Sequence, residues 1–132
     1  RKPPKHGCLH DVFGELVSVP TLLDHPNLTI EVYLVQVDVV KVEDPTMRRR
    51  RGGWRTVDRR LREIVGTHGL RTTDDLVAML PDGLPDEWTT KDVSTLGGIP
   101  RRTAQQMAYV LKANERAIEV RRDRAGAHYV LA

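Results

Sequence analysis

An abrupt change of hydrophobic pattern across residues 43–53 most constrains how this 132-residue chain can fold. The segment reads Glu-Asp-Pro-Thr-Met-Arg-Arg-Arg-Arg-Gly-Gly, and proline, clustered charge and paired glycines are typical of an exposed loop. Before it, residues 28–42 are rich in β-branched residues that alternate with polar ones, as in a strand. After it, apolar residues recur at helical spacing. The break predicts an N-terminal arm at 1–47, a basic loop at 48–53 and a mainly helical domain at 54–132.

The arm is predicted to combine a short helix with one long strand. Residues 9–17 carry apolar residues at helical spacing. In residues 28–42 the parity of the apolar positions changes between Leu34 and Val35, which predicts a bulge or bend. A strand of this length needs a neighbour, because isolated strands are not stable. We therefore expect strand 28–42 to pair within a homodimer or with an upstream domain, or residues 1–47 to dock within the chain.

The remainder of the chain predicts a series of helices that ends in a β-hairpin. The first helix places five residues on one side, namely Trp54, Val57, Leu61, Ile64 and Val65. The next two helices each open on a threonine with an aspartate three residues later, which is an N-terminal capping pattern. Two β-like runs flank Arg124-Ala125-Gly126, a hairpin signal. The predicted elements are helices at 54–66, 72–81, 89–98 and 100–114 and strands at 117–123 and 127–132.

The helix that begins near Pro100 has two contrasting sides. Its predicted buried stripe repeats at helical spacing through Ala104, Met107, Ala108 and Leu111. The opposite side has long polar side chains and no acidic residue before Glu115. Arginine suits guanine edges and phosphates, and glutamine suits adenine edges. The polar side comprises Arg101, Arg102, Gln105, Gln106, Tyr109 and Lys112.

The turn before this helix carries a motif, Leu96-Gly97 followed by Pro100, Thr103 and Ala104. With the hairpin behind it, this motif resembles the winged helix-turn-helix family over about residues 54–132. The resemblance implies a mainly α (α+β) fold in which helix 100–113 is the recognition helix and the C-terminal hairpin is the wing. It also implies that the wing, residues 121–126, holds the DNA backbone through three arginines, Arg121, Arg122 and Arg124.

The sequence departs from that family at three positions. Gly98 adds a second glycine to the turn, and Pro100 stands where serine or threonine commonly caps the recognition helix. Arg116 stands where a glycine often closes the helix, so we expect Asn114 to adopt the left-handed conformation there. Residues 15–35 and 54–132 together are also similar to the C-terminal part of uncharacterised prokaryotic proteins.

These features predict a protein that binds double-stranded DNA, with transcription regulation as one use of that binding. Two alternatives stay open. The domain could serve protein–protein interaction or dimerisation without DNA, because a fold alone does not define a function. It could also be the C-terminal module of a larger nucleic-acid-processing enzyme, since the chain begins at Arg1 rather than methionine and we expect it to be a piece of a longer protein.

Composition and spacing argue against other classes of function. The balance of 21 basic and 18 acidic residues is only mildly basic. The single Cys8 cannot form an internal disulfide, which fits a reducing, cytoplasmic setting. No apolar stretch reaches the roughly 18 residues that a membrane span needs, and we expect the basic N-terminus not to act as a secretion signal, because no apolar region follows it. His6, Cys8, His10 and His25 do not match the usual spacings of zinc ligands, so we assign no metal, cofactor or catalytic residue.

Overall fold

The computed structural model describes residues 7–43, 46 and 54–132 and shows an α+β chain. The predicted basic loop at 48–53 lies outside the described residues. The chain forms two compact units, and one of them is Tyr33–His68. The helices are α1 (Val12–Leu16), α2 (Thr73–Val77), α3 (Thr90–Gly97) and α4 (Arg101–Ala113), and the strands are β1 (Ile30–Glu43), β2 (Trp54–Leu70), β3 (Ala117–Asp123) and β4 (Gly126–Leu131).

The unit that contains the residues up to Val32 and from Gly69 onward is packed around α4. All four residues of the predicted apolar stripe are buried, and Thr103 and Val110 are buried as well. The buried side of α4 is therefore broader than predicted, because α1 packs against it and contributes Phe13 and Leu16 to the same core. The N-terminal segment is thus part of the core around α4.

The turn between α3 and α4 is fixed by backbone conformation and local hydrogen bonds. The predicted cap of α3 is present, since the Thr89 amide donates to the Asp92 carboxylate at 2.9 Å. Gly98 ends α3 with φ 63°, a left-handed conformation that glycine adopts without a steric penalty. The Ser94 hydroxyl then donates to the Ile99 carbonyl at 2.6 Å. Both predicted helices and the glycine turn between them are confirmed.

The end of α4 differs from the prediction. Asn114 has φ −90°, and the left-handed residue is Glu115, with φ 57°. Asn114 is buried, and its side-chain amide donates to the carbonyls of Pro20 at 2.7 Å and Val110 at 2.8 Å. These contacts place Asn114 within the core, so the chain reverses one residue later.

The predicted C-terminal hairpin is confirmed as an antiparallel pair of β3 and β4. Its register runs from Ala117 opposite Leu131 to Asp123 opposite Gly126, with an irregularity between Glu119 and Arg121. Tyr129 of β4 also exchanges two backbone hydrogen bonds with Trp88, at 2.8 and 2.9 Å, and the two rings stack with centroids 5.0 Å apart. These contacts join the hairpin to the segment that precedes α3.

The second unit, Tyr33–His68, is formed by β1 and β2. The predicted helix at 54–66 is wrong, because β2 extends over that whole segment as a strand. The error has a physical reason. Residues four apart, such as Val57, Leu61 and Val65, share one face of a helix and equally share one face of a strand. Pairing with β1, a contact distant in sequence, decides in favour of the strand.

The predicted fold class, a mainly α winged helix-turn-helix, is wrong. The chain is an α+β mixture with two separate antiparallel two-stranded sheets, β1–β2 and β3–β4, among its described residues. The segment expected to supply the first helix of that fold is strand β2. What remains of the prediction is the local series α3, glycine turn, α4 and hairpin.

Candidate nucleic-acid interface

The side of α4 opposite the core is exposed along most of its length. Gln106 is an exception, because it is half-buried against Gly14 of α1. The contact is close: a Cβ added at Gly14 would lie 3.6 Å from the side-chain oxygen of Gln106. Packing against α1 therefore leaves the Gln106 side chain less accessible than the exposed residues of this side. The exposed polar residues are Arg101, Arg102, Gln105, Tyr109 and Lys112.

Two open concavities lie on either side of Gln105. The first, of about 300 Å³, lies between α4 and Val17, and Arg102 and Tyr109 line it together with Gln105 and Gln106. The second, of about 200 Å³, lies between α4 and the β3–β4 hairpin. Its lining comprises Thr90, Arg101, Gln105, Arg122, Ala125, Gly126, Ala127 and Tyr129. The N-terminal half of α4 is thus a ridge with a depression on each side.

Two of the three arginines of the hairpin, Arg121 and Arg122, are held in ion pairs. Glu119 accepts from Lys112 and from Arg122, both at 2.9 Å. Arg121 pairs with Glu87 and, at 3.2 Å, with Asp123. Of the three arginines predicted for the hairpin, only Arg124 has no ion pair within the part of the chain that the structure describes.

These contacts keep the carboxyl groups ionised. The hydrogen bond from Lys112 lowers the pKa of Glu119, and the same bond raises the pKa of Lys112. The pKa of Asp123 is lowered chiefly because it accepts the backbone N–H of Ala125, and His128 adds to the effect. At neutral pH this end of the hairpin is therefore a mixed, largely neutralised surface.

Cations without an acidic neighbour are found at the start of α4. No ion pair of Arg101 or Arg102 occurs among residues 7–43, 46 and 54–132, and the first turn of α4 contains no acidic residue. The predicted contact residues therefore form two groups. Arg101, Arg102 and Arg124 have no ion pair among the described residues, whereas Lys112, Arg121 and Arg122 are paired.

Sequence reasoning missed the acidic residues that make this difference. Glu119 lies seven residues after Lys112 and meets it only because the chain reverses after α4, while Glu87 meets Arg121 across 34 residues. The Glu119–Arg122 spacing was visible in the sequence and could have signalled a local pair. Thr90, at the start of α3, was also missed as part of the second concavity.

The histidines near the N-terminus have local roles where they are described. The His10 Nε2 lies 2.9 Å from the Met79 carbonyl, and the His25 Nδ1 accepts the backbone N–H of Asn27 at 3.2 Å. Cys8 is exposed beside Asp11, and His6 lies outside the described residues. Within the described ranges, histidine, cysteine and carboxylate side chains do not converge into a group that could hold a metal ion.

Comparison with known proteins assigns the chain to a family. The sequence model described as "Domain of unknown function (DUF8091)" matches residues 1–71, which is more than half of the chain. The chain belongs to the DUF8091 family. The DUF8091 match covers α1, β1 and β2 and ends before α2, so it does not include α4 or the β3–β4 hairpin.

The chain is also similar to an uncharacterized protein of Treponema pallidum (strain Nichols), with 31% identity over 97 residues. These residues make up 74% of this chain but 39% of that protein, so the chain spans well under half of its relative's length. No solved structure matches the chain. Across the described residues, no helix has the length and apolar character needed to cross a bilayer.

Proposed function

We propose that this protein binds double-stranded DNA with the N-terminal half of α4. The observation that carries the proposal is the exposed, acid-free row of Arg101, Arg102 and Gln105 between two concavities. Transcription regulation would be one use of such binding. The proposal does not depend on a winged-helix fold.

The dimensions of α4 fit this function. Its 13 residues form a rod about 20 Å long, and the major groove of B-DNA, about 12 Å wide, admits an α-helix. The concavities on both sides of Gln105 would accommodate the rims of a groove, where the phosphates lie. Arg101 and Arg102 supply long cationic side chains for phosphates or guanine edges, and the Gln105 amide can bind the adenine edge with two hydrogen bonds.

The charge arrangement assigns unequal roles to the predicted residues. Arg101 and Arg102 would supply most of the attraction to phosphates because they have no competing carboxylate. Lys112, Arg121 and Arg122 would contribute less, since each must first leave an acidic neighbour. Arg124 at the tip of the hairpin is free to reach a phosphate.

The test is a titration of a fluorescent random-sequence duplex with the protein. Fluorescence anisotropy measures the binding at several salt concentrations. Each phosphate contact releases condensed counterions, so affinity should fall linearly on a log–log plot against salt. The variant Arg101→Ala/Arg102→Ala should bind more weakly, with a slope shallower by about 2 for each bound copy.

A matched control has the same change of net charge elsewhere. Arg62→Ala/Arg71→Ala removes two exposed arginines outside the α4 surface and should leave the slope unchanged. Equal losses in both double variants would show that only net charge matters and would reject the assigned surface. No binding by the wild type at low salt would reject DNA binding and favour the protein-interaction alternative.

A further inference from the structure

The unit formed by β1 and β2 exposes large apolar side chains on both of its strands. Val57, Leu61 and Val65 of β2 are 45, 63 and 54% exposed. On β1, Val35, Val37 and Val39 are exposed to a similar degree. A two-stranded sheet is at best marginally stable alone in water, so a sheet with this surface calls for a partner.

The exposed residues share one face of the sheet. A Cβ added at Gly66 would lie 3.6 Å from the Leu34 side chain, so these two positions are on the same side. The half-buried positions of β1 stay even-numbered from Ile30 through Leu34 to Val40, so the alternation continues past the point where the sequence predicts a bulge or bend. Because side chains alternate along a strand, Val35 and Val65 lie on the opposite side. The same alternation gives that side all the odd-numbered residues of both strands, and we call it the valine face. Its apolar residues include Val35, Val37, Val39, Val57, Leu61 and Val65, and its charged residues include Lys41, Glu43, Arg59 and Glu63.

The β2 part of the valine face is complementary to itself. Its order is Val57, Arg59, Leu61, Glu63, Val65, with Leu61 at the centre. Rotation of a second copy by a half-turn about an axis at Leu61 sets Val57 over Val65, Leu61 over Leu61, and Arg59 over Glu63. Arg59 and Glu63 are exposed, and neither has an ion pair among the described residues. Opposite charges would therefore meet twice around an apolar centre.

We propose that the valine face is the interface of a homodimer, in which two copies of the β1–β2 sheet pack face to face about a two-fold axis at Leu61. Such an interface is isologous, which means that both copies use the same surface. If a residue of one copy contacts a second residue of its partner, the same contact is repeated with the two copies exchanged. The occupant is a second copy of this chain, because the pattern of charge and apolar residues on the β2 part of the face, from Val57 to Val65, matches its own reverse. This inference does not depend on DNA binding.

The area available is sufficient for a small interface. Six roughly half-exposed apolar side chains offer on the order of 400 Å² per copy, and Arg59, Glu63 and the backbone add a polar rim. Two copies would then bury about 1,000 Å² or slightly more, at the lower end of specific interfaces. The dimer is accordingly expected to be reversible, with its population rising with chain concentration.

Edge-to-edge pairing of two β2 strands, about a two-fold axis perpendicular to the sheet beside Leu61, is less favourable. It would place Arg60 beside Arg62 of the second copy on the opposite face, and like charges directly across a sheet are destabilising. Packing through the valine face avoids that contact and leaves the Arg60–Asp58 ion pair, at 2.8 Å, in place.

The first experiment measures mass by sedimentation equilibrium over a wide range of chain concentration. The wild type should shift from monomer to dimer. Leu61→Lys should remain monomeric, and Ile64→Lys should dimerise like the wild type, since Ile64 is 53% exposed but lies on the other face. Far-UV circular dichroism identical to that of the wild type confirms that each variant is folded.

The second experiment exchanges the charges. Arg59→Glu and Glu63→Arg should each be monomeric, because like charges would meet across the axis. An equimolar mixture of these two variants should form a heterodimer, and the double variant should dimerise by itself. If the wild type stays monomeric at every concentration, the proposed homodimer is wrong, even if another molecule binds the valine face. Equal effects of Leu61→Lys and Ile64→Lys, or no rescue in the mixture, overturn the assigned face and axis.

Discussion

Arg101 and Arg102 differ from Lys112 and Arg122 in one respect that decides their availability to a phosphate. The first two have no ion pair among the described residues, whereas the second two share the carboxylate of Glu119. A cation held by a carboxylate gains less from a phosphate, because it exchanges one anionic partner for another. Glu119 is therefore expected to limit duplex affinity.

The residue-scale prediction concerns removal of that charge. Glu119→Gln should increase affinity for a random duplex and steepen the log–log salt dependence by about 1–2, because Lys112 and Arg122 become available. Glu115→Gln is the matched control: it removes an equal charge nearby from a residue without an ion pair in the described part of the chain. If both variants bind equally well, the hairpin cations do not contact DNA.

The same variant has a pH signature in stability. The lowered pKa of Glu119 means that its ion pairs stabilise the folded state fully above the ordinary carboxyl pKa and are lost as pH falls through the lowered folded value. The difference in free energy of unfolding between wild type and Glu119→Gln should therefore persist near neutrality and diminish on acidification below that value. Urea unfolding at several pH values measures it.

At the scale of elements, α1 and α4 are neighbours that belong to opposite ends of the sequence. Phe13 is fully buried in the core that positions α4. Phe13→Ala should lower the free energy of unfolding by about 3–5 kcal/mol, the range for removing a buried aromatic ring. Urea denaturation measures this loss.

Val19→Ala provides the comparison for Phe13→Ala. Val19 is 48% exposed and follows the same helix, so its loss should change stability by less than about 0.5 kcal/mol. A comparably small effect of Phe13→Ala would mean that the N-terminal segment does not support α4, and that it is the separate arm which the sequence predicts.

Elements with local signals were predictable, and those decided by distant contacts were not. The cap at Thr89, the glycine turn and the stripe of α4 each depend on a few consecutive residues, and all three are confirmed. The helix predicted at 54–66 is strand β2, because its four-residue spacing suits both conformations and the choice depends on pairing with β1. The broader buried side of α4 depends on α1, about 90 residues away, and was missed for the same reason.

At the scale of the whole molecule, the wrong fold class follows from that one segment. With a helix at 54–66 the chain resembles a winged helix; with a strand there it becomes an α+β chain with two separate sheets. The candidate site was partly predictable. The exposed side of α4 agrees with the polar side that its helical spacing predicts, except at Gln106. The acidic partners Glu87 and Glu119 needed the fold to bring them into contact.

The two proposals concern different surfaces and can fail independently. DNA binding depends on the start of α4, and dimerisation depends on the valine face. A monomeric Leu61→Lys variant should therefore still bind a duplex, and Arg101→Ala/Arg102→Ala should still dimerise. Loss of both properties in either variant would indicate general misfolding, which circular dichroism identifies.

The most direct test of the account is a titration of the isotopically labelled protein with a short duplex, followed through its backbone amide chemical shifts at low salt. The largest changes should occur between Arg101 and Tyr109 and at the hairpin turn near Arg124, and they should disappear as salt is raised. Absence of any change at low salt, or changes confined to residues outside α4 and the hairpin, would contradict the proposal that α4 contacts DNA.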